Sequence, residues 1–325
     1  MKEFAEIQRI ANEELQKIEW PAKPSGLYEP ISYCLGDGGK RLRPAFALFA
    51  CQLFCGDIQP AKKAALALEI FHNFTLMHDD IMDKADKRRG KPTVHLVWNE
   101  NTAILSGDTM MALAYKTLAE TNANVLIPAL TLFNDTVIGV MEGQQYDMNF
   151  ESRTDVQLEE YMEMIRLKTA VLLAASLKMG AICGKAKQED ADALYEFGIN
   201  VGLAFQLKDD LLDVYGDTKT FGKNIGGDIV DNKKTYLYIK ALELSKGTDK
   251  EKQLQHWFSL STFDREEKIK AVTDIYNALG VKAIAENEMQ KCYDKGAEAI
   301  DRTSLNKEQK NQLLSLANQL LDRKS

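Results

Sequence analysis

Proline, cysteine and uninterrupted apolar stretches are all scarce in this chain. Its 325 residues include only seven prolines and five cysteines. An odd number of cysteines spread over a long chain is not typical of a disulfide framework, so we expect a reducing, cytoplasmic setting. The chain has no run of about 18 uncharged apolar residues, so no membrane span is expected. Residues 1–10 also lack the apolar core of a signal peptide.

Cys51 and Cys55 lie one helical turn apart and are the one cysteine pair that suggests a metal site. No second cysteine or histidine pair lies nearby in the sequence, and alanine and leucine surround them. We therefore interpret both as buried structural thiols, since unpaired cysteine packs like a small apolar side chain.

Acidic residues outnumber basic ones, 48 to 41, which gives a net charge of −7. An acidic chain repels a phosphate backbone, so nucleic acid is not expected as a partner. This argument applies to the whole surface and does not exclude a local basic pocket for a small anion. Hydrophobic residues make up 45% and charged residues 27%, which is typical of a globular protein.

Helix-forming residues dominate, and no long alternating pattern indicates a strand. No linker rich in glycine, serine or proline divides the chain, so we predict one all-α domain over residues 1–325. Thr154, Asp190 and Thr262 stand where a side chain caps a helix N-terminus. The predicted helices cover residues 3–19, 44–55, 60–82, 100–120, 125–149, 155–182, 191–216, 231–246, 251–258, 263–280, 282–300 and 306–322.

An Asp-Asp-x-x-Asp pattern occurs twice, at residues 79–83 and 209–213. Each copy ends an apolar helical run, and on a helix its first and last aspartates share a face. Carboxylates at a helix C-terminus repel each other and the partial negative charge there, so they need cations. A few carboxylate oxygens suit Mg²⁺, which keeps waters and is completed by substrate phosphates. One copy alone would favour solvated helix charges, whereas two copies on apolar helices favour a metal-filled cleft.

Compact basic segments accompany the aspartates. Gly38 and Gly39 form a turn just before Lys40, Arg41 and Arg43. Glycine lets backbone amides approach an anion, and arginine makes bidentate contacts with phosphate. Further basic positions near the aspartate motifs are Arg88, Arg89, Lys168, Lys223, Lys233 and Lys234.

Other catalytic signatures are missing from the sequence. There is no His-Glu-x-x-His zinc motif, no P-loop, no dinucleotide-binding glycine pattern and no Gly-x-Ser-x-Gly elbow. His72 lies on the helix of the first motif, where a single histidine is more often structural than catalytic.

The aspartate motifs and the basic segments, in their order along the chain, resemble those of the trans-isoprenyl diphosphate synthases, the family of farnesyl and geranylgeranyl diphosphate synthases. The resemblance covers about residues 30–240. It is carried by Gly-Gly-Lys-Arg-Leu-Arg-Pro at 38–44, the first aspartate motif with Arg88-Arg89, Gly143-Gln144-x-x-Asp147, Lys168-Thr169, Phe205-Gln206 with the second aspartate motif, and Gly222-Lys223.

The resemblance implies an all-α bundle around a central apolar cavity, usually a homodimer, that joins isopentenyl diphosphate to an allylic diphosphate head to tail. It implies that isopentenyl diphosphate is bound by Lys40, Arg43, His72 and Arg89. The allylic diphosphate would be bound by Arg88, Lys168, Thr169, Gln206, Lys223 and Lys233. Three Mg²⁺ ions would be bound with substrate by Asp79, Asp83 and Asp209, supported by Asp80, Asp210 and Asp213. The spacing from Lys223 to Lys233 is one residue longer than in some members of the family. Lys234 is therefore the alternative to Lys233 as the residue that contacts the substrate.

Product length in this family depends on aromatic residues before the first motif. Phe74 lies five positions before Asp79, about 7.5 Å deeper along the helix at about 1.5 Å per residue. Phe71 is almost a turn deeper still, and Thr75 is small. One aromatic at this position favours geranylgeranyl diphosphate as the product, with farnesyl diphosphate as the alternative. Phe74 as an ordinary core residue is the other interpretation.

Two further alternatives remain open. A terpene cyclase shares the helical fold and one aspartate motif, but it lacks the basic 38–44 segment and usually carries Asn, Ser and Glu in its second metal motif. A non-catalytic partner subunit would be expected to have lost aspartates or cations, and none is lost here. Both alternatives are therefore less favoured.

Overall fold

The computed structural model describes residues 2–36, 38–216 and 225–322. These residues are almost entirely helical, and their one sheet is a short antiparallel ribbon of β1 (Lys87–Arg88) and β2 (Lys91–Pro92). The all-α prediction is therefore confirmed. Lys223 lies outside the described residues.

The chain groups into two compact units, Met1–Asp135 with Ala175–Tyr195, and Thr136–Ala174 with Glu196–Ser325. The single-domain assignment stays a prediction. In chain order, the helices from the start of the chain to Tyr215 are α1 (Phe4–Gln16), α2 (Ser25–Gly36), α3 (Leu42–Cys55), α4 (Lys62–Met82), α5 (Val94–Val97), α6 (Glu100–Ala119), α7 (Ala123–Ser152), α8 (Leu158–Ile165), α9 (Val171–Cys183) and α10 (Gln188–Tyr215).

The first unit is built around α4, which packs against α3 and α6. Every residue of α3 from Pro44 to Leu53 is buried, as expected for a helix that is apolar on all sides. Gly107 on α6 allows a close approach to α4, since a Cβ there would lie 2.3 Å from Nε2 of His78. These contacts hold the C-terminal end of α4, which carries the first aspartate motif.

In the second unit, buried side chains of α8, α10 and the later helices form one apolar cluster. Within it, Lys268 is completely buried, with Nζ 2.6 Å from Oδ1 of Asn232 and 4.1 Å from the ring centre of Phe263. The later helices are α11 (Gly227–Val230), α12 (Tyr236–Ser245), α13 (Asp249–Ser259), α14 (Arg265–Leu279), α15 (Val281–Asp301) and α16 (Lys307–Leu321).

The structure contains one helix that was not predicted and differs from two predicted helices. Residues 25–36 form a twelve-residue helix that the pattern missed, because Pro30 within it reads as a break. The segment predicted as a helix over 231–246 becomes helical only at Tyr236, since Asn232 adopts a left-handed φ of 56°. The helix predicted over 155–182 begins at Leu158 and contains a π-segment, Arg166–Ala170.

Three predicted helix caps and one predicted buried thiol were also wrong. Asp190 lies inside the first turn of α10, which begins at Gln188. α8 begins with a capping box on Gln157 rather than at Thr154, and α14 is capped by the Asp264 side chain rather than by Thr262. Cys51 is buried as predicted, but Cys55 is exposed, because it is the last residue of α3.

α7 is long and apolar enough to cross a membrane by length and composition alone, and 39% of its most apolar stretch is buried. The sequence did not predict a candidate span. Core helices of globular proteins pass the same test, so this single helix is weak support for a membrane span.

Candidate active site

The first aspartate motif closes α4, with Asp79 and Asp80 in its last turn and Asp83 as its capping residue. Asp80 is only 4% exposed, and its Oδ1 accepts a hydrogen bond from Nε of Arg88 at 2.8 Å. Burial alone would lower the pKa of Arg88, but the bonded Asp80 carboxylate outweighs it and the pKa is raised. The negative charge of the middle aspartate, Asp80, is thus paired with Arg88, while Asp83 lies exposed at the helix end.

Arg89 lies against the glycine turn. Its guanidinium donates to the carbonyl of Gly38 at 2.7 Å. Gly39 has a φ of +116°, and a Cβ there would lie 2.9 Å from the guanidinium carbon of Arg89. Glycine alone accommodates both the backbone angle and the close side chain. The turn therefore brings Arg89 to the segment that carries Lys40 and Arg43.

Arg43 and His72 face each other, with 3.0 Å between a guanidinium nitrogen and Nε2 of the ring. A guanidinium only donates, so Nε2 accepts and Nδ1 carries the proton. Burial, followed by repulsion from Arg43 and Arg89, lowers the pKa of His72 well below its usual value, so the ring is neutral.

Burial also lowers the pKa of Arg43 to about 10. Within the described part of the chain, the buried Nε of Arg43 has no hydrogen-bond acceptor. Clustered guanidinium groups that include an unpaired buried donor are suited to a small anion with several oxygens, such as a diphosphate.

The second aspartate motif lies near the end of α10, and its middle aspartate is again buried. Asp210 is 3% exposed, and its Oδ2 accepts hydrogen bonds from the Tyr161 hydroxyl at 2.5 Å and the Tyr236 amide at 3.3 Å. Burial, followed by repulsion from Asp228, raises the pKa of Asp210 to about 8. Both motifs thus use protein donors to hold the middle carboxylate.

Asp213 shares a face of α10 with Asp209, and its Oδ2 accepts the backbone N–H of Asp228 at 3.0 Å. Burial, followed by repulsion from Asp228, raises the pKa of Asp213 to about 6. Lys233 places Nζ 3.5 Å from Oδ1 of Asp228, whereas Nζ of Lys234 donates to the carbonyl of Asn232. Of the two lysines, Lys233 therefore lies beside Asp228, and its role toward substrate stays a prediction.

Lys168 lies in the π-segment, and its Nζ pairs with Oδ2 of Asp147 at 2.5 Å. A Cβ on Gly143 would lie 2.3 Å from the backbone nitrogen of Lys168, so glycine permits the two helices to touch there. The Gly143-Gln144-x-x-Asp147 segment therefore positions Lys168 through both its glycine and its aspartate. π-bulges of this kind are frequent at functional sites.

Thr169 connects the π-segment to the second motif. Its hydroxyl donates to Oε1 of Gln206 at 3.3 Å, and Nε2 of Gln206 lies 3.5 Å from Oδ1 of Asp210. The structure thus gathers Lys168, Thr169, Gln206 and Asp210 on α8 to α10 within one unit.

Sequence reasoning missed two residues of these arrangements. Tyr161 is 49 positions from Asp210, and nothing in the pattern links a tyrosine to a distant aspartate. Asp228 lies 15 positions after Asp213, the last aspartate of the second motif. It is one more acidic residue in a charged segment, so the sequence pattern does not distinguish it. Asp147 was part of a recognised motif, but its bond to Lys168 is visible only in three dimensions.

Magnesium fits the ligand chemistry of the motifs. Among the residues that the structure describes, no three His, Cys, Asp or Glu side chains form a complete metal site by themselves. Mg²⁺ typically takes one or two carboxylates from the protein and completes its shell with waters and phosphates. The aspartates of both motifs supply the carboxylate oxygens that this ion prefers.

The sequence model of the polyprenyl synthetases matches residues 24–276. The chain is 40% identical over 257 residues to a short chain isoprenyl diphosphate synthase of Methanothermobacter thermautotrophicus, covering 78% of this chain and 79% of that protein. It is 38% identical over 282 residues to a geranylgeranyl diphosphate synthase of Sulfolobus acidocaldarius, covering 86% and 84%. A crystal structure of a geranylgeranyl pyrophosphate synthase superposes with a TM-score of 0.95, at 42% identity and over 100% of both chains.

An all-helical fold with two aspartate motifs and clustered guanidinium groups defines an enzyme that acts on diphosphates. The chain belongs to the polyprenyl synthetase family and is a prenyltransferase of the short-chain isoprenyl diphosphate synthase type.

Proposed function

We propose that this enzyme condenses isopentenyl diphosphate with allylic diphosphates head to tail and that its main product is geranylgeranyl diphosphate. The observation that carries the proposal is the shared construction of the two aspartate motifs. In each, the middle carboxylate is buried and bonded to protein donors, and the motif lies near basic side chains suited to phosphate.

The residues divide into two binding roles. Lys40, Arg43, neutral His72 and Arg89 hold the diphosphate of the isopentenyl substrate. The allylic diphosphate is held by Arg88, Lys168, Thr169, Gln206, Lys223 and Lys233, of which Lys223 lies outside the described residues.

Mg²⁺ would be held by Asp79, Asp83 and Asp209, and when bound it supplies positive charge that stabilises the departing diphosphate. Arg88 and Lys168 add fixed positive charge at the same leaving group, whose negative charge grows as the allylic C–O bond breaks. The apolar side chains of α4 exclude water, which would otherwise quench the allylic cation.

The first experiment incubates the purified chain with isopentenyl diphosphate, one allylic primer at a time and Mg²⁺, and measures product length by mass spectrometry. We expect prenyl transfer that chelation by EDTA abolishes. A cyclic hydrocarbon product would indicate a terpene cyclase, and no turnover with any primer would indicate a non-catalytic subunit.

Asp79→Ala is expected to lower kcat by roughly 100-fold or more, because it removes a carboxylate proposed to hold the Mg²⁺ that stabilises leaving-group charge. The matched control is Asp274→Ala, which removes an exposed aspartate from helix α14. Circular dichroism should show wild-type helicity in both variants. Wild-type turnover in Asp79→Ala would contradict the proposal.

Product length is proposed to depend on Phe74. The ring is 5% exposed and contacts His78 at 4.7 Å and Phe71 at 5.8 Å between ring centres, while the Thr75 hydroxyl donates to the carbonyl of His72. If Phe74 limits the product, Phe74→Ala should lengthen it by at least one five-carbon unit, detected by mass. An unchanged length would make Phe74 a core residue, and a fifteen-carbon wild-type product would identify a farnesyl diphosphate synthase.

We also propose that the enzyme acts as a homodimer in the cytoplasm. Large apolar side chains stand exposed on α6 and α7, which suits an interface between two copies. None of the five cysteines, all of which the structure describes, forms a disulfide, which suits a reducing compartment.

A further inference from the structure

Arg41 stands between Lys40 and Arg43 in the basic segment, yet it is buried to 5% exposure. Its guanidinium donates to Oε1 of Glu69 at 2.7 Å, to Oδ1 of Asn12 at 3.2 Å and to the carbonyl of Leu35. These acceptors lie on α4, on α1 and near the end of α2. With each of its nitrogens bonded to protein, Arg41 is not available to grip a phosphate as its neighbours are.

Glu69 is equally buried, at 3% exposure, and it is tied into the same network. Its Oε1 also accepts a hydrogen bond from Nδ2 of Asn73 at 3.1 Å. The negative charge of Glu69 opposes the burial that lowers the pKa of Arg43. Glu69 therefore balances part of the positive charge that the proposed isopentenyl diphosphate site gathers.

The ion pair lies beside a second bridge between the same two chain segments. Arg43 is two residues after Arg41 and bonds His72, which lies three residues after Glu69 on one face of α4. Arg41 itself has a left-handed backbone, with a φ of 45°, directly before α3 begins at Leu42. An L-residue rarely adopts this conformation unless its surroundings impose it.

We propose that Arg41 and Glu69 are positioning residues for isopentenyl diphosphate, and this inference rests on the proposed function. The buried pair fixes the left-handed turn and the distance between the start of α3 and α4. Lys40, Arg43 and His72 can then contact one diphosphate together, although neither Arg41 nor Glu69 touches it.

The test compares Arg41→Met, Glu69→Met and the double variant with the wild type. The singles each leave one buried charge unpaired, whereas the double replaces the pair with apolar side chains of similar length, which is often tolerated. KM is measured for isopentenyl diphosphate at saturating allylic substrate, and for the allylic substrate at saturating isopentenyl diphosphate. Thermal unfolding is followed in parallel, without substrate.

We expect the double variant to recover most of the thermal stability that the singles lose, while its KM for isopentenyl diphosphate stays at least tenfold above wild type. Its KM for the allylic diphosphate should stay within twofold. Arg9→Met is the matched control, since Arg9 pairs with Glu13 on the exposed face of α1, and it should change neither constant.

A folded double variant with a wild-type KM for isopentenyl diphosphate would overturn the inference and leave the pair a purely structural one. An equal rise in both constants would also overturn it, because a general loosening of the fold acts on both substrates. Absence of prenyl transfer in the wild type would instead overturn the proposed function. Should the double variant not fold, Arg41→Lys replaces it, since the charge remains while the planar set of donors is lost.

Discussion

At the scale of single residues, His72 shows how a sequence position acquires its chemistry from its neighbours. Its Nε2 faces the guanidinium of Arg43, and burial and nearby arginines hold its pKa well below the usual value. A charged ring would repel those arginines, whereas the neutral ring accepts a hydrogen bond from one of them. His72 therefore orients Arg43 for an anion instead of adding charge of its own.

This environment predicts a pH dependence of stability. Unfolding exposes His72, whose pKa returns to about 6.5, so below that pH the unfolded state binds a proton that the native state does not. The contribution of His72 to stability is thus complete above pH 6.5 and is lost as the pH falls, at up to about 1.4 kcal/mol per pH unit.

Between pH 7 and pH 5, we expect the melting temperature of His72→Gln to fall less than that of the wild type. The measurement is thermal unfolding of the substrate-free protein by circular dichroism. His256→Gln, on the exposed face of α13, is the control and should follow the wild type. Parallel curves for wild type and His72→Gln would show that His72 takes up its proton in the native state.

The sequence singled out six aspartates as candidates, but it does not show how their environments differ from each other. Helical spacing separates the outer aspartates of each motif from the middle one. It does not show that Arg88 holds Asp80, or that Tyr161 from another helix holds Asp210. Such pairings depend on contacts between distant segments, so spacing along one helix does not reveal them.

At the scale of elements, the π-segment is the feature that hydrophobic spacing could not predict. One extra residue in a turn changes the direction of Lys168 and Thr169 without changing the composition of the segment. The helix pattern over 155–182 consequently reads as continuous. Gly143 was visible in the sequence as part of a motif, and the structure shows that it provides space for the π-segment.

Gly143→Ala should force α7 and the π-segment apart, because a Cβ would lie 2.3 Å from the backbone nitrogen of Lys168. We expect the free energy of unfolding to fall by about 1–3 kcal/mol, as overpacked cores do. We also expect KM for the allylic diphosphate to rise, since Lys168 is displaced. Denaturant unfolding and steady-state kinetics measure the two effects.

Gly139→Ala is the matched control one turn earlier on α7. A Cβ there would lie 3.4 Å from the side chain of Leu167, which is ordinary contact, so both measurements should stay near wild type. Equal effects of the two substitutions would mean that lost helix flexibility, and not the π-segment, explains the result.

At the scale of the whole molecule, the distribution of apolar side chains is unusual for an isolated chain. α6 exposes Ile104 at 43% and Leu105 at 59%, and α7 exposes Ile127 at 69% and Ile138 at 57%. Burying such side chains against a second copy stabilises by about 25 cal/mol per Å² of apolar surface. Ile127 and Ile138 belong to α7, the helix that passes the length and composition test for a membrane span, and the proposed interface between copies would account for their exposure without a lipid phase.

The proposed homodimer predicts that one charged substitution acts twice. In a two-fold interface each residue contributes from both copies, so Leu105→Glu introduces two carboxylates into the apolar contact. We expect it to weaken association by roughly 2–4 kcal/mol, the range of an interface hot spot. Light scattering after size exclusion should then give the 36.5 kDa mass of one chain, whereas wild type should give twice that mass. Leu244→Glu is the control, since Leu244 is exposed on α12, outside α6 and α7, and should leave the dimer intact. A wild-type chain that elutes with the mass of one copy would contradict the homodimer and leave the apolar side chains of α6 and α7 for another partner.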